Sequence, residues 1–366
     1  MQLPELKIRG RVLNIPIIQG GMGVGISLAP LASSVAKEGG TGIISSAIIH
    51  KVVRSADGAK LNAHDALCEE VRTAQYNAGK KNVGAIGVNI MVYAAQDYES
   101  SVRGAVSANA DMIISGAGLP LQLPDLVGDA DIAIIPIVSS LRALKIIYKR
   151  WIRSGRIPDA VVVEGPKAGG HLGFKVNEID SPKNKLENIF PPIKDFAQKN
   201  GDFPVIVAGG IYTHDDIVYW LSLGADGIQM GTRFLATSES SADLHFKQAV
   251  VNCKKEDIVI SHWQTNPPGS PSGMPFRIIK SSPMFCESKK RVPLCNKGAV
   301  LQKDAKGKYS ICNAKEDAEK YFCICNGLLS AAGYEAREKP LWTVGTNAWR
   351  IENIISVKKL MDELKG

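Results

Sequence analysis

The chain has 366 residues, of which 45% are hydrophobic and 22% charged, as in a globular enzyme with a sizeable core. Its net charge of +8 comes from scattered basic residues, which argues against nucleic acid and favours small anionic ligands or an acidic carrier protein. There is neither a membrane-length apolar run nor a secretory pattern in the first residues, so we expect no membrane association. Seven cysteines, an odd number, favour a reducing cytoplasm.

Short apolar segments alternate with helical segments along residues 1–250. Eight of them have the continuously apolar character of buried parallel strands, and they cover residues 15–19, 41–47, 83–92, 112–115, 132–139, 160–164, 205–208 and 227–230. Helical spacing lies between them, at residues 28–37, 62–78, 97–108, 141–153, 186–199 and 215–223, and a last helix is predicted to start near Ser240. Thr213 is the predicted N-cap of the helix after the seventh strand.

Eight strand–helix repeats favour a (β/α)8 TIM barrel of the α/β class, and a doubly wound parallel sheet is the alternative. Glycine-rich segments follow strands one, four, six, seven and eight. A barrel would bring these carboxyl ends to one rim, where active sites of this fold lie, whereas an open sheet would concentrate its ligand loops at one switch point. The sequence therefore predicts a barrel over residues 1–250.

The segments after strands seven and eight are typical of a phosphate site. Val207–Ile211 and Met230–Arg233 carry glycines directly after a strand, where backbone N–H groups can approach an anion. The alternative is a pair of tight turns required only by packing. Neither segment matches a Rossmann fingerprint or a P-loop in its required context.

The most informative stretch is Glu164–Gly173, which follows the apolar run Ala160–Val163. Its paired glycines let backbone N–H groups approach a flat or anionic ligand, and His171 follows them directly. A histidine just past a strand end is well placed to transfer a proton or stabilise charge, although an ordinary loop histidine fits the same pattern. The other histidines lack this context and are expected to be surface or packing residues: His50, His64, His214, His245 and His262.

The character of the chain changes after the eighth repeat. Residues 251–346 are rich in proline, glycine, lysine and cysteine, and Pro267–Pro275 cannot form a regular element. We expect an irregular insertion that covers the barrel mouth. The apolar spacing of residues 347–364 then predicts an amphipathic helix, and residues 347–366 are expected to pack back on the barrel.

Five cysteines lie in this insertion: Cys286, Cys295, Cys312, Cys323 and Cys325. Four nearby thiols can ligate zinc or an iron–sulfur cluster, but their spacing is not the paired C-x2-C of structural zinc sites. Cys323 and Cys325 are separated by one residue and would share a face on a strand. Small buried residues are the simpler interpretation, so no metal site is predicted.

Five motifs in order along residues 3–250 resemble the flavin-dependent nitronate monooxygenases, formerly called 2-nitropropane dioxygenases. The related flavin-type enoyl-acyl-carrier-protein reductases share the pattern. The motifs are Pro16–Gly23, Gly87–Asn89, Glu164–Gly173, Val207–Ile211 and Gly231–Phe234. The stretch 271–277 also loosely resembles a segment that follows the barrel in this family.

The resemblance implies that the barrel binds FMN. It places Gly21 and Met22 near the isoalloxazine ring, Asn89 in a hydrogen bond to that ring, and Glu164 at the ribityl side. Three further residues of the His171 motif would line the flavin: Ala168, Gly169 and Gly170.

The same resemblance implies that His171 is the catalytic histidine. Four residues after strands seven and eight would hold the phosphate: Gly209, Gly210, Gly231 and Thr232. Lys167 departs from the family, because many members have an acidic residue there, so the field near the flavin is expected to differ.

The implied activity is oxidation of alkyl nitronates with O2, and the basic charge of the chain suits a small anionic substrate. The alternative is an FMN-dependent enoyl-acyl-carrier-protein reductase that uses NAD(P)H, with His171 as the proton donor. A flavin-binding protein without turnover is a third hypothesis. We further expect a cytoplasmic protein that forms a homodimer.

Overall fold

The computed structural model describes residues 3–79, 84–287 and 296–366. An N-terminal hairpin of β1 (Leu6–Ile8) and β2 (Arg11–Leu13) precedes a closed barrel. Eight parallel strands within the described ranges form this barrel: β3 (Ile17–Gln19), β4 (Thr41–Ser45), β5 (Ala85–Met91), β6 (Met112–Gly116), β7 (Ala133–Val138), β8 (Val161–Glu164), β10 (Val205–Ala208) and β11 (Gly227–Met230). The two-residue strand β9 (Gly170–His171) belongs to a different sheet.

The predicted (β/α)8 barrel is confirmed, and its closure excludes the open sheet. The strands run in chain order around the barrel, and β11 closes against β3 with Ile228 opposite Ile17. Alternate side chains of each strand point inward and outward, and the interior is filled by one set of apolar residues: Ile18, Ile43, Ile114, Ile135, Val162 and Ile206. Their outward neighbours pack under the surrounding helices.

Helices α1 to α9 lie between or after the strands, at Ala29–Lys37, Ala63–Ala78, Tyr98–Ser107, Leu123–Val127, Leu141–Trp151, Leu186–Lys199, His214–Ser222, Thr232–Leu235 and Leu244–Asn252. The predicted N-cap is confirmed, because the Asp216 N–H donates to Thr213 Oγ1 at 3.2 Å. The short helices α4 and α8 were not predicted. The helix expected near Ser240 begins at Leu244 instead, since the side chain of Asp243 caps it. Val83, the predicted start of the third strand, lies outside the described residues.

The N-terminal hairpin was not predicted either, because strands of three residues are too short to show periodicity. Leu6, Ile8 and Leu13 are buried with the interior residues of the barrel. The hairpin therefore plugs the amino end of the barrel, and the carboxyl rim remains for a ligand.

The insertion, predicted to be irregular, contains short regular elements. They are β12 (Ile258–Ser261), β13 (Phe276–Ile279), α10 (Pro283–Cys286), β14 (Gln302–Lys303), β15 (Tyr309–Ile311), α11 (Asn313–Glu316) and α12 (Ile324–Ala331). Pro267–Pro275 forms neither helix nor strand, as predicted. Strands β12, β13 and β9 form an antiparallel sheet, so the insertion is joined by hydrogen bonds to the His171 segment.

The C-terminal helix α13 spans Val357–Lys365, so the prediction of a helix from residue 347 was wrong over its first half. A 3-10 turn at Ala348–Arg350 comes first, and Ile355 then pairs with Thr237 in an isolated bridge. The helix can begin only after that pairing, where the Lys359 N–H donates to Ser356 Oγ. Helix α13 packs on α1 and α7, and the 3-10 turn packs on α9.

Among the described residues, no helix is long and apolar enough to span a bilayer. The division into residues 1–250, 251–346 and 347–366 stays a prediction.

Candidate active site

A cavity of about 450 Å³ opens at the carboxyl ends of the barrel strands. All twelve residues predicted to form the site line it. They reach it from the carboxyl ends of β3, β5, β8, β10 and β11 or from the segments that follow them, which the closure of the barrel brings to one rim. The structure thus brings these residues together, while their individual roles stay predictions.

The loops after β10 and β11 form a glycine-rich side of the cavity. Gly209 and Gly210 have φ angles of +96° and +90°, which side-chain-bearing residues rarely adopt. A Cβ atom at Gly231, by contrast, would have Met22 Sδ as its nearest neighbour, at 3.8 Å. The space in front of Gly231 is therefore open to a ligand.

The C-terminal segment braces these loops from outside. Asn347 Nδ2 donates a hydrogen bond to the Gly210 carbonyl at 2.6 Å, and the Gly345 N–H donates to Thr232 Oγ1 at 2.9 Å. Because both contacts come from a segment far away in sequence, the loop conformation depends on the completed fold.

The loops after β3 and β5 meet at the floor of the cavity. A Cβ atom at Gly21 would lie 2.2 Å from Asn89 Cβ, so only glycine permits this contact. Asn89 Nδ2 donates to the Ile114 carbonyl at 3.3 Å, which fixes the orientation of its amide. Gln229 of β11 is buried next to Gly20, and its Oε1 accepts no hydrogen bond from any described residue. A buried acceptor of this kind requires a partner from a ligand or water.

Glu164 and Arg277 organise the loop after β8. Arg277 is buried, and its Nη1 donates to the carbonyls of Pro166 and Ala168 at 2.7 and 2.5 Å. Burial raises the pKa of Glu164 to about 7, although the Arg277 charge opposes this shift. Burial also lowers the pKa of Arg277 to about 10. The insertion therefore anchors the loop that precedes His171.

His171 faces the cavity from β9, which pairs with β13 of the insertion. Its Nε2 lies 3.1 Å from Ser270 Oγ, which in turn lies 2.9 Å from Ser272 Oγ. The Phe276 ring packs edge-on against the imidazole with the ring centroids 4.7 Å apart. Burial lowers the pKa of His171 to about 4, so the ring is neutral at neutral pH and can accept a proton.

The sequence matches the nitronate monooxygenase family over residues 6–366, nearly the whole chain. The chain belongs to this family. The resemblance carried by the five motifs is thereby confirmed, and the family is one of flavin-dependent oxidoreductases.

Curated relatives of the nitronate monooxygenase family give a shorter match. Proteins named probable nitronate monooxygenase from Staphylococcus aureus strains Newman and JH9 are 38% and 37% identical over 108 residues. This match covers 28% of the chain and 28% of each relative, so the chain matches well under two thirds of their length.

Two solved structures share the fold. FabK from Thermotoga maritima has a TM-score of 0.67 and 23% identity, covering 96% of this chain and 91% of that one. A nitroalkane oxidase from Streptomyces ansochromogenes has a TM-score of 0.65 and 19% identity, covering 96% and 94%. At such identities the likeness shows the barrel fold and nothing finer.

All histidines of this nitronate monooxygenase family member lie in the described ranges, and His171 is the one that lines the cavity. His50 Nδ1 lies 3.5 Å from Asp97 Oδ2, and His64 and His245 each contact an aspartate nearby in sequence. His214 is the first residue of α7, where its Nδ1 lies 3.0 Å from the Leu364 carbonyl.

The described cysteines do not gather into a metal site: no cluster of three or more His, Cys, Asp or Glu side chains is positioned for one in those ranges. Cys323 and Cys325 lie at the start of α12, so the prediction that they share a face of a strand does not apply. Cys325 lines the cavity, whereas Cys286 is exposed. Cys295 lies outside the described residues.

Sequence reasoning missed three polar residues of the site: Ser270, Arg277 and Gln229. Arg277 ends the stretch 271–277, whose loose resemblance to a family segment was a usable signal. Gln229 had a signal of a different kind. A glutamine within an apolar strand is buried, and its amide then needs hydrogen-bond partners. Ser270 lies in the proline-rich stretch and had none.

Proposed function

We propose that this chain is an FMN-dependent nitronate monooxygenase that oxidises alkyl nitronates with O2. The observation that carries the proposal is a neutral histidine, His171, that faces a cavity rimmed by glycine loops. The family match supports the enzyme class, and the geometry around His171 supports its use as a proton acceptor.

The residues around the cavity fit a flavin. Gln229 Oε1 is a buried acceptor without a described partner, and the Asn89 amide lines the same cavity. The open space at Gly231 leaves room for a phosphate near backbone N–H groups. We assign Gly21, Met22, Asn89 and Glu164 to the ring and ribityl side, Ala168 to Gly170 to the flavin edge, and the four residues Gly209, Gly210, Gly231 and Thr232 to the phosphate.

When bound, the flavin supplies the electron-accepting chemistry that protein side chains lack. His171 takes the proton from a neutral nitroalkane on its imidazole, or it orients a nitronate that arrives already ionised. Ser270 holds the imidazole in place through its hydroxyl, 3.1 Å from Nε2. Lys167 and Arg233, which also line the cavity, attract the anion.

The second candidate is an FMN-dependent NAD(P)H enoyl-acyl-carrier-protein reductase. One observation favours it: the side of the cavity formed by the insertion is apolar, as an acyl chain would require. In that case His171 would donate the proton to the substrate. We rank nitronate oxidation first because the chain matches the nitronate monooxygenase family over residues 6–366.

The test is anaerobic reduction of the purified holoprotein. A short alkyl nitronate is added in one cuvette and NADH in another, and the flavin absorbance is followed. Bleaching by the nitronate and not by NADH is the expected result. Rapid bleaching by NADH alone would transfer the proposal to the reductase, and a flavin spectrum that neither compound changes would support a binding protein without turnover.

The cytoplasmic location and the homodimer remain predictions. The cytoplasmic location rests on the cysteine count.

A further inference from the structure

A second, small cavity lies in the insertion beside the main cavity described above. Its volume is about 10 Å³, room for no more than about one water molecule. Three buried cysteines line it: Cys312, Cys323 and Cys325. The proposed function gives none of these thiols a role.

A metal ion does not account for this meeting of thiols. The described ranges contain no group of three or more His, Cys, Asp or Glu side chains positioned to hold one. The sulfur of Cys323 is engaged otherwise, because it accepts a hydrogen bond from Asn326 Nδ2 at 3.4 Å. The other two thiols of the cavity come from different segments: Cys312 directly follows β15, and Cys325 lies in the first turn of α12.

Cys325 belongs to the layer that separates the two cavities. It lines both of them, as do Ala299, Val300 and Ile324. Cys312 lines the small cavity and does not line the main one. Because the main cavity opens at the rim of the barrel, a small neutral molecule that enters it reaches the Cys325 side chain first, with Cys312 behind it.

The same two thiols lie near the hydroxyl of Tyr93, which follows β5. Burial raises the pKa of Tyr93 to about 12, and the nearby thiols of Cys312 and Cys325 add to this shift. The Tyr93 ring lies 6.5 Å from the His171 ring, measured between centroids. The two cysteines are therefore close to each other and one aromatic side chain away from the proposed catalytic histidine.

We propose that Cys325 and Cys312 form a dithiol site in the wall of the main cavity, which hydrogen peroxide oxidises reversibly to a disulfide. The Cys325 sulfur attacks one peroxide oxygen, the O–O bond breaks, and a sulfenic acid and one water form. The Cys312 sulfur then attacks the sulfenic sulfur, and the displaced hydroxyl leaves with the Cys312 proton as a second water. Two thiols thus lose two electrons in total, and one peroxide gains them.

The disulfide would join the start of α12 to the end of β15. Oxidation would therefore change the insertion side of the main cavity and leave the glycine loops of the barrel as they are. A disulfide of this kind suits a reducing compartment, where such bonds are transient and report on oxidants. A thiol reductant returns both cysteines to the form that the structure shows.

The experiment counts and maps the thiols of the purified holoprotein before and after an excess of hydrogen peroxide is added. The count in the denatured protein should fall from seven thiols per chain to five, and dithiothreitol should restore seven. Trypsin leaves the two cysteines on separate peptides, residues 309–315 and 321–337. Mass spectrometry without reduction should find these two peptides crosslinked, with fragmentation placing the bond at Cys312 and Cys325.

Three variants assign the pair. Cys325→Ser and Cys312→Ser should each prevent the crosslink, and in Cys312→Ser the sulfenic acid left on Cys325 should be trapped by dimedone. Cys323→Ser is the matched control, because it removes a thiol of the same small cavity and should keep the crosslink. Flavin content and melting temperature identify a variant that has misfolded, and the map of the wild type needs no variant.

A wild type that keeps seven thiols in peroxide, or whose lost thiols dithiothreitol does not restore, would overturn the proposal. A crosslink mapped to any other pair of cysteines, Cys295 included, would do the same, as would a crosslink that survives in Cys312→Ser. Because thiols are counted without turnover, these outcomes are separate from the fate of the proposed function. Failure of nitronate oxidation would leave the dithiol site in place.

Discussion

The barrel and the insertion form opposite sides of one cavity in different ways. The barrel side combines glycine loops with polar side chains such as Asn89, Gln229 and Lys167. The insertion side is made of apolar side chains from α12 and the segment before β14. A ligand recognised by backbone depends on loop geometry, whereas one recognised by apolar side chains depends on their size. The difference suggests that cofactor and substrate are selected by separate regions.

His171 is the point at which the two regions meet. It follows the barrel strand β8 in the chain, yet β9 hydrogen-bonds with β13 of the insertion, with Phe276 opposite His171. Its Nε2 partner Ser270 also comes from the insertion. The barrel thus supplies the residue, and the insertion fixes its orientation.

The largest effect is expected from His171→Ala. Loss of a positioned acid–base group should lower turnover of a neutral nitroalkane by about 10²- to 10⁴-fold while flavin content is unchanged. Steady-state kinetics and the absorbance ratio of flavin to protein provide the two measurements. His245→Ala, at an exposed histidine, is the control. Equal loss of turnover and flavin would assign His171 to cofactor binding. It would then no longer mark the boundary between the roles of the barrel and the insertion.

The next effect concerns Glu164→Gln and pH. The folded-state pKa of Glu164, about 7, lies above its unfolded value, so its stabilising contribution is complete below about pH 4.5 and is lost as pH rises through 7. The glutamine side chain of the variant cannot ionise. Between pH 5 and pH 8, the free energy of unfolding of the variant should therefore rise by about 2 kcal/mol relative to that of the wild type.

Denaturation of the flavin-free proteins at both pH values measures this gain. The lowered pKa of His171 contributes in both proteins and cancels in the difference. Glu178→Gln serves as control, because the pKa of this exposed carboxylate is lowered by the Lys183 hydrogen bond. If the difference in free energy of unfolding between the wild type and the variant does not depend on pH, Glu164 is exposed to water. The barrel side of the cavity is then more hydrated than the comparison assumes.

A smaller effect is expected from Gly231→Ala, which tests the barrel side alone. Gly231 has a φ of −112°, which any residue adopts, and its added methyl would meet no described atom within 3.8 Å. The apoprotein should therefore keep its melting temperature, while flavin binding weakens about tenfold because the methyl crowds the ligand. Equilibrium dialysis gives the flavin Kd; an unchanged value would move the phosphate away from this loop.

The smallest effect is expected from Ser270→Ala, which tests the insertion side. A single hydrogen bond contributes about 1 kcal/mol, so kcat should fall about fivefold with flavin binding unchanged. The pH profile of kcat should shift with it, and Ser270→Thr should restore both because the hydroxyl remains. Ser310→Ala, elsewhere in the insertion, is the control. If Ser270→Ala leaves the pH profile unaltered, the serine does not act through His171.

The barrel was predictable because its strands are buried on both faces and appear as continuous apolar runs. Its glycine loops were equally visible, since close backbone approach leaves glycine in the sequence at positions such as Gly21 and Gly209. The hairpin β1–β2 and the short strands of the insertion were not, because segments of two to four residues carry no periodic signal. The predicted start of α13 was wrong because a tertiary contact, the pairing of Ile355 with Thr237, delays the helix.

The candidate site likewise contains residues that the sequence predicted and residues that it did not. The twelve predicted residues, all of which line the cavity, were found from local motifs and the family resemblance. Ser270 and Arg277 act through contacts with His171 and Ala168 that span 99 and 109 residues of chain. Such pairings are set by the completed fold, so the sequence alone does not show which residues these side chains contact.

The ends of the insertion have a consequence for engineering. The helix that leads into it, Leu244–Asn252, packs on the turn Ala348–Arg350 that follows it, so the polypeptide leaves and rejoins the barrel at one place. Closing a loop between neighbouring anchor points costs entropy that rises only slowly with loop length. The segment between these anchors can therefore change in length at little entropic cost, provided that a replacement keeps β13 and Arg277, which hold the His171 segment.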